Sequence, residues 1–328
     1  MAVKKKIVVV GLGSIGKRHA RLLKARADTE VVLCEPHAEN LAQAQQELGP
    51  LPSMATFEAA VASRPDMLLI ATPHSLHADQ TIQALKLGIP VLCEKPMANS
   101  LAAARRMVEA NERTGTLLSI AFMLHFHPGV RRLKQLIDSG ELGAIISVRW
   151  SVGTYVTLVN SKSRYQRDLR GALLMDYAHQ PDLIHYLLGK RPIGVYMSGV
   201  QGGDMELSSN PNTLTLLCDY AEPLTTAIHL NYIQVPDRHE CELVGEAGWV
   251  VYDLKSGALR IGRRDKDCET VEQINVERDA LYTEEHRVFF DAVAGKCPPS
   301  SPPAEAIVSM EIVEAGLRSW NEKRRVDL

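Results

Sequence analysis

The chain has 328 residues, more than one ordinary hydrophobic core accommodates, so two domains are expected. With 45% hydrophobic residues, 23% charged and a formal net charge of -2, it reads as a soluble globular protein, and no basic excess calls for nucleic acid or an anionic membrane as partner. The longest apolar stretches, such as Asp66 to Ala71 and Leu117 to Phe122, are of strand length, far short of the roughly 20 residues of a membrane span.

Taken in order, Met1 to Lys6 carries the charges of an export signal, but the apolar run behind it lasts four residues and ends in a glycine turn, so no such signal is read. That run, Ile7-Val8-Val9-Val10, reads as a buried strand. Gly11, Gly13 and Gly16 follow at G-x-G-x-x-G spacing, and an Ala/Leu-rich stretch after them takes a helical period. In a dinucleotide site Gly11 permits the turn, Gly13 lets a pyrophosphate approach, and Gly16 lets the helix pack on the strand. Ser14 and Ile15 complete this cofactor-binding stretch. A plain strand-turn-helix fits the same glycines, and the context decides between them. Glu30 to Glu35 reads as a second strand ending in a carboxylate, 19 residues beyond Gly16, where an acid accepts hydrogen bonds from the adenosine ribose. A carboxylate there repels a 2'-phosphate, so NAD is expected over NADP, although Lys17, Arg18 and His37 lie near enough in sequence to compensate. The plainer alternative for Glu35 is a solvated charge at a strand end.

Short apolar runs alternate with helical stretches as far as Phe122, which predicts βαβ units and a doubly wound parallel sheet of six strands. Helices are expected over 38–48, 56–62 and 101–113, with one more that follows the stretch Thr72 to His77 and ends at Leu87. The turns at strand ends hold the chemistry of such sheets. After Met67 to Ala71 comes Thr72-Pro73, which packs against a cofactor or simply turns the chain. After the strand Pro90 to Cys93 comes Glu94-Lys95-Pro96, where Pro96 holds Lys95 extended and aims it along the strand direction, unless the pair is only the chain reaching water.

The period then changes. A helix over 128–138, a strand over 145–152 and a helical region over 172–188 precede strand-like runs from Ile193 to Ile274, which predict an antiparallel or mixed sheet with one covered face, hence an α+β domain. Two closing helices flank the proline-rich stretch Cys297 to Pro303. The domains are expected at 1–122 and 123–328, the last helix packing back on the first domain. On a helix Asp176 and His179 share a face, as do His179 and Asp182, so a carboxylate can fix the tautomer of an imidazole that serves as a base. The bland alternative is a helix whose polar groups satisfy one another, and Pro181 fits only a first turn or a break. His179, Asp182 and His185 lack a motif that completes a metal site, and none is expected. Six scattered cysteines without a C-x-x-C pair predict reduced thiols and a cytoplasmic protein.

Together Gly11-Leu12-Gly13-Ser14-Ile15-Gly16-Lys17-Arg18-His19, Ala71-Thr72-Pro73, Cys93-Glu94-Lys95-Pro96 and Asp176-x-x-His179-x-x-Asp182 resemble the glucose-fructose oxidoreductase, inositol dehydrogenase and MocA family (Gfo/Idh/MocA), over nearly the full length. The resemblance implies a Rossmann domain, a C-terminal α/β domain whose large open, mostly antiparallel sheet is often used for oligomerisation, hence a homodimer or homotetramer, and NAD(P)-linked redox chemistry on sugars, cyclitols and their derivatives. It implies that Lys95 is the active-site lysine near the nicotinamide and the reacting oxygen, and that Asp176 and His179 are the family's Asp and catalytic His. The cofactor-binding set it suggests adds Thr72, Pro73, His77, Glu94 and Lys95 to the glycine loop and Glu35. Substrate contacts are expected from Lys95, His125, Tyr155, Arg164, Tyr165, Asp176 and His179, with Arg167 beside them. Asp176 and His179 stand three apart where many members have four, Ala172 replaces a common glycine, and His125 stands where an arginine is frequent. On this reading His179 takes the hydroxyl proton of a sugar-like substrate while Lys95 stabilises the oxygen, the two converging over one nicotinamide. The alternatives are an NAD(P)-binding regulator, and a redox-neutral glycosidase or epimerase that holds NAD tightly.

Overall fold

The structure is a computed structural model that describes residues 4–160 and 165–328. Its first stretch runs β1 (Lys5–Val10), α1 (Ser14–Lys24), β2 (Thr29–Cys34), α2 (Ala38–Leu48), β3 (Ser53–Met54), α3 (Phe57–Ala62), β4 (Met67–Ile70), α4 (His74–Lys86), β5 (Val91–Glu94), α5 (Leu101–Thr114) and β6 (Leu118–Ala121). The six strands are parallel in the order β3-β2-β1-β4-β5-β6. The order reverses between β1 and β4, and a crevice outside the carboxyl ends of strands at such a reversal is where dinucleotides bind. Ile7, Val8, Val9 and Val10 are buried on both faces, as a strand covered by helices on either side requires. Side chains set the helix limits: Thr56 Oγ1 accepts the Ala59 N–H at the start of α3, Ser100 Oγ accepts that of Ala103 at the start of α5, and α5 stops at Gly115 in the left-handed conformation.

The chain continues through α6 (Pro128–Asp138), β7 (Ile145–Gly153), α7 (Val156–Asn160), α8 (Tyr165–Asp168), α9 (Ala172–Asp176), α10 (His179–Leu188), β8 (Gly194–Val200), β9 (Thr213–Asp219), β10 (Thr225–Asn231), β11 (Arg238–Gly245), β12 (Gly248–Asp253), β13 (Ala258–Arg263), β14 (Lys266–Gln273), α11 (Arg278–Val293), α12 (Pro303–Glu322) and β15 (Val326–Asp327). Nine strands form a second sheet in the order β14-β13-β12-β11-β7-β10-β9-β8-β15. Among the described residues only β7 and β10 pair parallel in it, so the sheet is mixed and mostly antiparallel. In β9 and β10 Leu214, Leu216, Cys218, Thr226, Ile228 and Leu230 are buried while the residues between them are half-buried or exposed, the alternation of a sheet with one covered face.

Two compact units result, residues 1–126 with 277–310, and residues 127–276 with 311–328. The division falls four residues beyond the expected 122/123 boundary, and α11 with the first part of α12, rather than the last helix as a whole, belongs with the parallel sheet. The reason lies in α11 itself: Phe289 joins the core cluster of Ile7, Val9 and Leu23, and Tyr282 and His286 pack on His19 of α1. The helical region expected over 172–188, with Pro181 admitting only a first turn or a break, is two helices, α9 and α10, joined at Tyr177-Ala178. Pro181 explains the break, because in a continuous helix its ring would meet the Tyr177 carbonyl, whereas in the first turn of α10 its missing N–H costs nothing. Among the described residues no helix is long and apolar enough to cross a membrane.

Candidate active site

In the first unit the glycine loop leaves β1 at the order reversal. Gly11 has φ +87°, and a Cβ there would lie 2.8 Å from the Ala71 carbonyl and the Thr72 nitrogen, so the turns after β1 and β4 touch backbone to backbone. A Cβ on Gly16 would fall 1.9 Å from the Gly11 carbonyl oxygen, which only glycine avoids. Gly13 is different: it starts α1 without a side-chain cap, is exposed, and has open space where its Cβ would be. The first turn of α1 holds no acidic residue, so no side-chain charge offsets the positive helix end beside the exposed Gly13 and Ser14. This cradle fits the pyrophosphate of a dinucleotide. Ile15 instead packs against the core.

Glu35 directly follows β2 and is only 5% exposed. Its Oε2 accepts the Leu12 N–H at 2.8 Å and its Oε1 that of His37 at 3.1 Å, which fixes the acid against the glycine loop. Thr72 donates its hydroxyl to Gln80 Oε1, and Pro73 precedes α4. At the end of β5 the Glu94 carboxylate turns inward: Oε1 meets His19 Nε2 at 2.8 Å and Oε2 accepts the Lys95 N–H at 3.0 Å. Burial opposes the charge, but the His19 hydrogen bond and the charges of His19 and Lys95 hold the acid below its usual range. His19 Nδ1 in turn lies 2.7 Å from His286 Nε2, whose imidazole is held well below its usual range by burial and by His19. Glu285, beside it on α11 and 1% exposed, is pushed well above the carboxylate range by burial and by Glu94. The residues expected to touch cofactor thus divide. Gly11, Gly13, Ser14, Gly16, Glu35, Thr72, Pro73 and Lys95 gather on the carboxyl ends of β1, β2, β4 and β5, while Glu94 and His77 spend their polar atoms inside the unit. His125 is also inside, 6% exposed and stacked on Phe122.

In the second unit Asp176 and His179 end one helix and begin the next, and both are half-buried. The helix break therefore replaces the shared-face argument for this pair: their relation is set by the Tyr177-Ala178 junction. Asp176 Oδ2 accepts hydrogen bonds from the Tyr232 hydroxyl and, at 3.1 Å, from the Gln166 amide. Burial and the Asp176 carboxylate push the Tyr232 hydroxyl far above its ordinary range, so it remains a donor. Tyr177 shares a hydrogen bond with Thr157 at 3.0 Å, and burial raises its pKa to about 12. Next to His179, Gln180 pairs with His239 at 3.3 Å, an imidazole that burial lowers to about 4 and keeps neutral. Gln166 also lines a cavity of about 390 Å³ with Leu158, Arg167, Gln201, Ser209 and Asn210, the size of small-ligand sites. Tyr165 and Arg167 flank Gln166 on α8, Tyr155 lies before α7 with its N–H on the Gln234 carbonyl, and Arg164 lies outside the described residues. His185 Nδ1 faces the Lys190 carbonyl at 3.1 Å.

Tyr232 and Gln166 were not among the expected site residues. Tyr232 closes an apolar strand run 56 residues from Asp176, and its completely buried ring gives no sequence signal of a polar task. Removing its hydroxyl takes one hydrogen bond from a carboxylate. Tyr232→Phe is expected to cost about 1–3 kcal/mol of stability and to lower turnover with little change in cofactor affinity. Urea unfolding and steady-state kinetics check both.

Comparison with known proteins agrees with this geometry. Residues 5–122 match the model of an oxidoreductase family with an NAD-binding Rossmann fold, and residues 134–328 match the C-terminal alpha/beta domain of the same oxidoreductase family. The chain belongs to the Gfo/Idh/MocA oxidoreductase family. It is 25% identical to an inositol 2-dehydrogenase of Corynebacterium glutamicum over 261 residues, 78% of this chain and 75% of that one. It is 26% identical to a 2,7-anhydro-N-acetylneuraminate hydratase of Escherichia coli over 286 residues, 84% of this chain and 76% of the relative. A crystal structure of an oxidoreductase from Agrobacterium radiobacter in complex with NAD+, L-tartaric acid and magnesium shares the fold, with TM-score 0.89 at 18% identity over 99% of this chain and 98% of that one. The family member described here thus carries an NAD-binding Rossmann unit followed by the family's α/β domain.

Proposed function

We propose that this family member is an NAD-dependent dehydrogenase acting on a secondary alcohol of a sugar, cyclitol or sugar derivative. The observation that carries the proposal is the gathering of an open glycine cradle, a buried acid and Lys95 on one edge of the parallel sheet. Gly13, Ser14 and the first turn of α1 hold the pyrophosphate, and Glu35 accepts the hydroxyls of the adenosine ribose. When bound, NAD supplies the hydride acceptor. His179 takes the substrate's hydroxyl proton, and Lys95 hydrogen-bonds the same oxygen and stabilises the negative charge that develops there. Asp176, held by Tyr232 and Gln166, keeps His179 in place. Tyr155, Arg164, Tyr165 and Arg167 are the candidates for contacts to further substrate hydroxyls. A homodimer or homotetramer and a cytoplasmic location with reduced thiols belong to the same proposal; light scattering tests the first.

Glu35 carries the cofactor preference. A 2'-phosphate would meet a buried carboxylate already fixed by two backbone N–H groups, so NADP pays a charge penalty that NAD avoids. Glu35→Ser is expected to move the ratio of NADP to NAD dissociation constants toward NADP by about tenfold or more. Fluorescence titration with both cofactors measures it, and an NADP preference in the parent contradicts the assignment.

The hydratase among the relatives supports a second reading, in which bound NAD serves a reaction without net redox change. Incubation of the parent with free sugars, inositols, sugar acids and nucleotide sugars separates the readings. A dehydrogenase forms one NADH for each product, a redox-neutral enzyme forms product with no NADH, and a regulator binds NAD and forms neither.

A further inference from the structure

His77, on the second turn of α4, is 1% exposed, and both of its ring nitrogens point at backbone carbonyl oxygens. Nδ1 lies 3.0 Å from the Pro96 oxygen and Nε2 2.8 Å from the Thr72 oxygen. A neutral imidazole has one N–H, so one carbonyl would face a nitrogen lone pair in a site without water access. Turning the ring over puts C–H groups in both places and satisfies neither carbonyl. The arrangement is complete only with a proton on each nitrogen.

The two carbonyls also matter by position. Thr72 follows β4 and Pro96 follows β5, so the two N–H bonds of one ring tie together the two turns at the cofactor edge of the sheet. Pro96 is the residue after Lys95. On its other side Lys95 is preceded by Glu94, anchored on His19. The turn that carries the lysine is therefore held from both ends by buried histidines.

We propose that His77 is a permanent imidazolium at neutral pH and a positioning residue for Lys95, clamping the Glu94-Lys95-Pro96 turn to the Thr72-Pro73 turn. The groups around it are Cys93 on β5, whose sulfur contacts the ring, His74 on its own helix, and Lys95. Burial opposes the charge and the Cys93 sulfur and the two carbonyls favour it, with the net result that the pKa is pushed up to about 9. His74 moves the other way: burial, His77 and Lys95 all lower it, so it is not a second cation in the cluster.

The charge has a thermodynamic sign. A folded pKa near 9 against an unfolded value of 6.5 adds stability that is complete below pH 6.5 and is lost as pH rises through 9. The lysine-positioning half of the proposal rests on the dehydrogenase reading, whereas the charge itself does not.

The test is 15N-histidine NMR of the full chain, with His77 assigned by its absence in His77→Gln. Both ring nitrogens are expected to carry protons at pH 8 and to titrate together near pH 9; one bare nitrogen at pH 8 overturns the imidazolium. The difference in Tm between parent and His77→Gln is expected to shrink from pH 6.5 to 9.5, and a constant difference overturns its contribution to stability. With a substrate in hand, His77→Gln is expected to lower kcat about tenfold while the NAD dissociation constant stays within about threefold, and unchanged kcat overturns the positioning role. If the parent turns over no substrate, the dehydrogenase reading fails while the NMR and Tm results still decide the charge.

Discussion

Alanine at His179 is expected to lower kcat/KM by about 10²- to 10⁴-fold, the range that a positioned general base supplies, with NAD affinity changed by less than about threefold. The size follows from what the imidazole does on this account. Oxidation of an alcohol releases a proton as the C–H bond breaks, and at neutral pH water accepts it poorly from a group as weakly acidic as a hydroxyl. His179 begins α10, half-buried, three residues after Asp176 and next to Gln180, which pairs with His239. Isothermal titration with NAD and steady-state kinetics with the substrate found by screening separate the two quantities. Equal turnover by the variant and the parent would remove His179 from the mechanism.

Methionine at Lys95 is expected to cost about 10²- to 10³-fold in kcat, the usual loss for one donor aimed at developing negative charge. Methionine keeps the length and apolar stem of lysine and loses the ammonium alone. The turn around it is fixed independently of the ammonium, since the Lys95 N–H binds Glu94 Oε2, Glu94 Oε1 meets His19, and the Pro96 carbonyl meets His77. The variant should therefore fold as the parent does, and stopped-flow NADH formation should slow without a change in Tm. A Tm drop of many degrees with unchanged kcat would make Lys95 a structural residue.

The parts of this molecule legible in its sequence are those where chemistry is local. The run Ile7 to Val10 announces a strand covered on both faces, and the three glycines fall where Cβ atoms would meet the Gly11 oxygen or the Ala71 backbone, or where nothing stands in front. The helices expected over 56–62 and 101–113 end within a residue of those observed, since their caps, Thr56, Ser100 and Gly115, act on their own neighbours. β3, two residues with no apolar run, leaves no such mark. The break between α9 and α10 was half legible, since Pro181 demanded a first turn or a break without saying which residues would form it.

Long-range pairing was not legible. His286 lies 267 residues from His19 and Tyr232 lies 56 from Asp176, and no local period connects either pair. Glu94 and His77 show the complementary limit. The family resemblance suggested contacts to cofactor for both, whereas the folded chain turns Glu94 toward α1 and gives His77 two carbonyls. The return of α11 to the parallel sheet rests on Phe289, Tyr282 and His286, whose partners in α1 and β1 are visible only once the chain is folded.

The proposed function requires that the ammonium of Lys95 and the imidazole of His179 serve one reacting oxygen. The kcat/KM of the Lys95→Met/His179→Ala double variant, read against the two single variants, measures that coupling. A shared oxygen predicts a double loss close to the larger single loss, within about tenfold. A double loss equal to the product of the single losses would mean two groups that act apart.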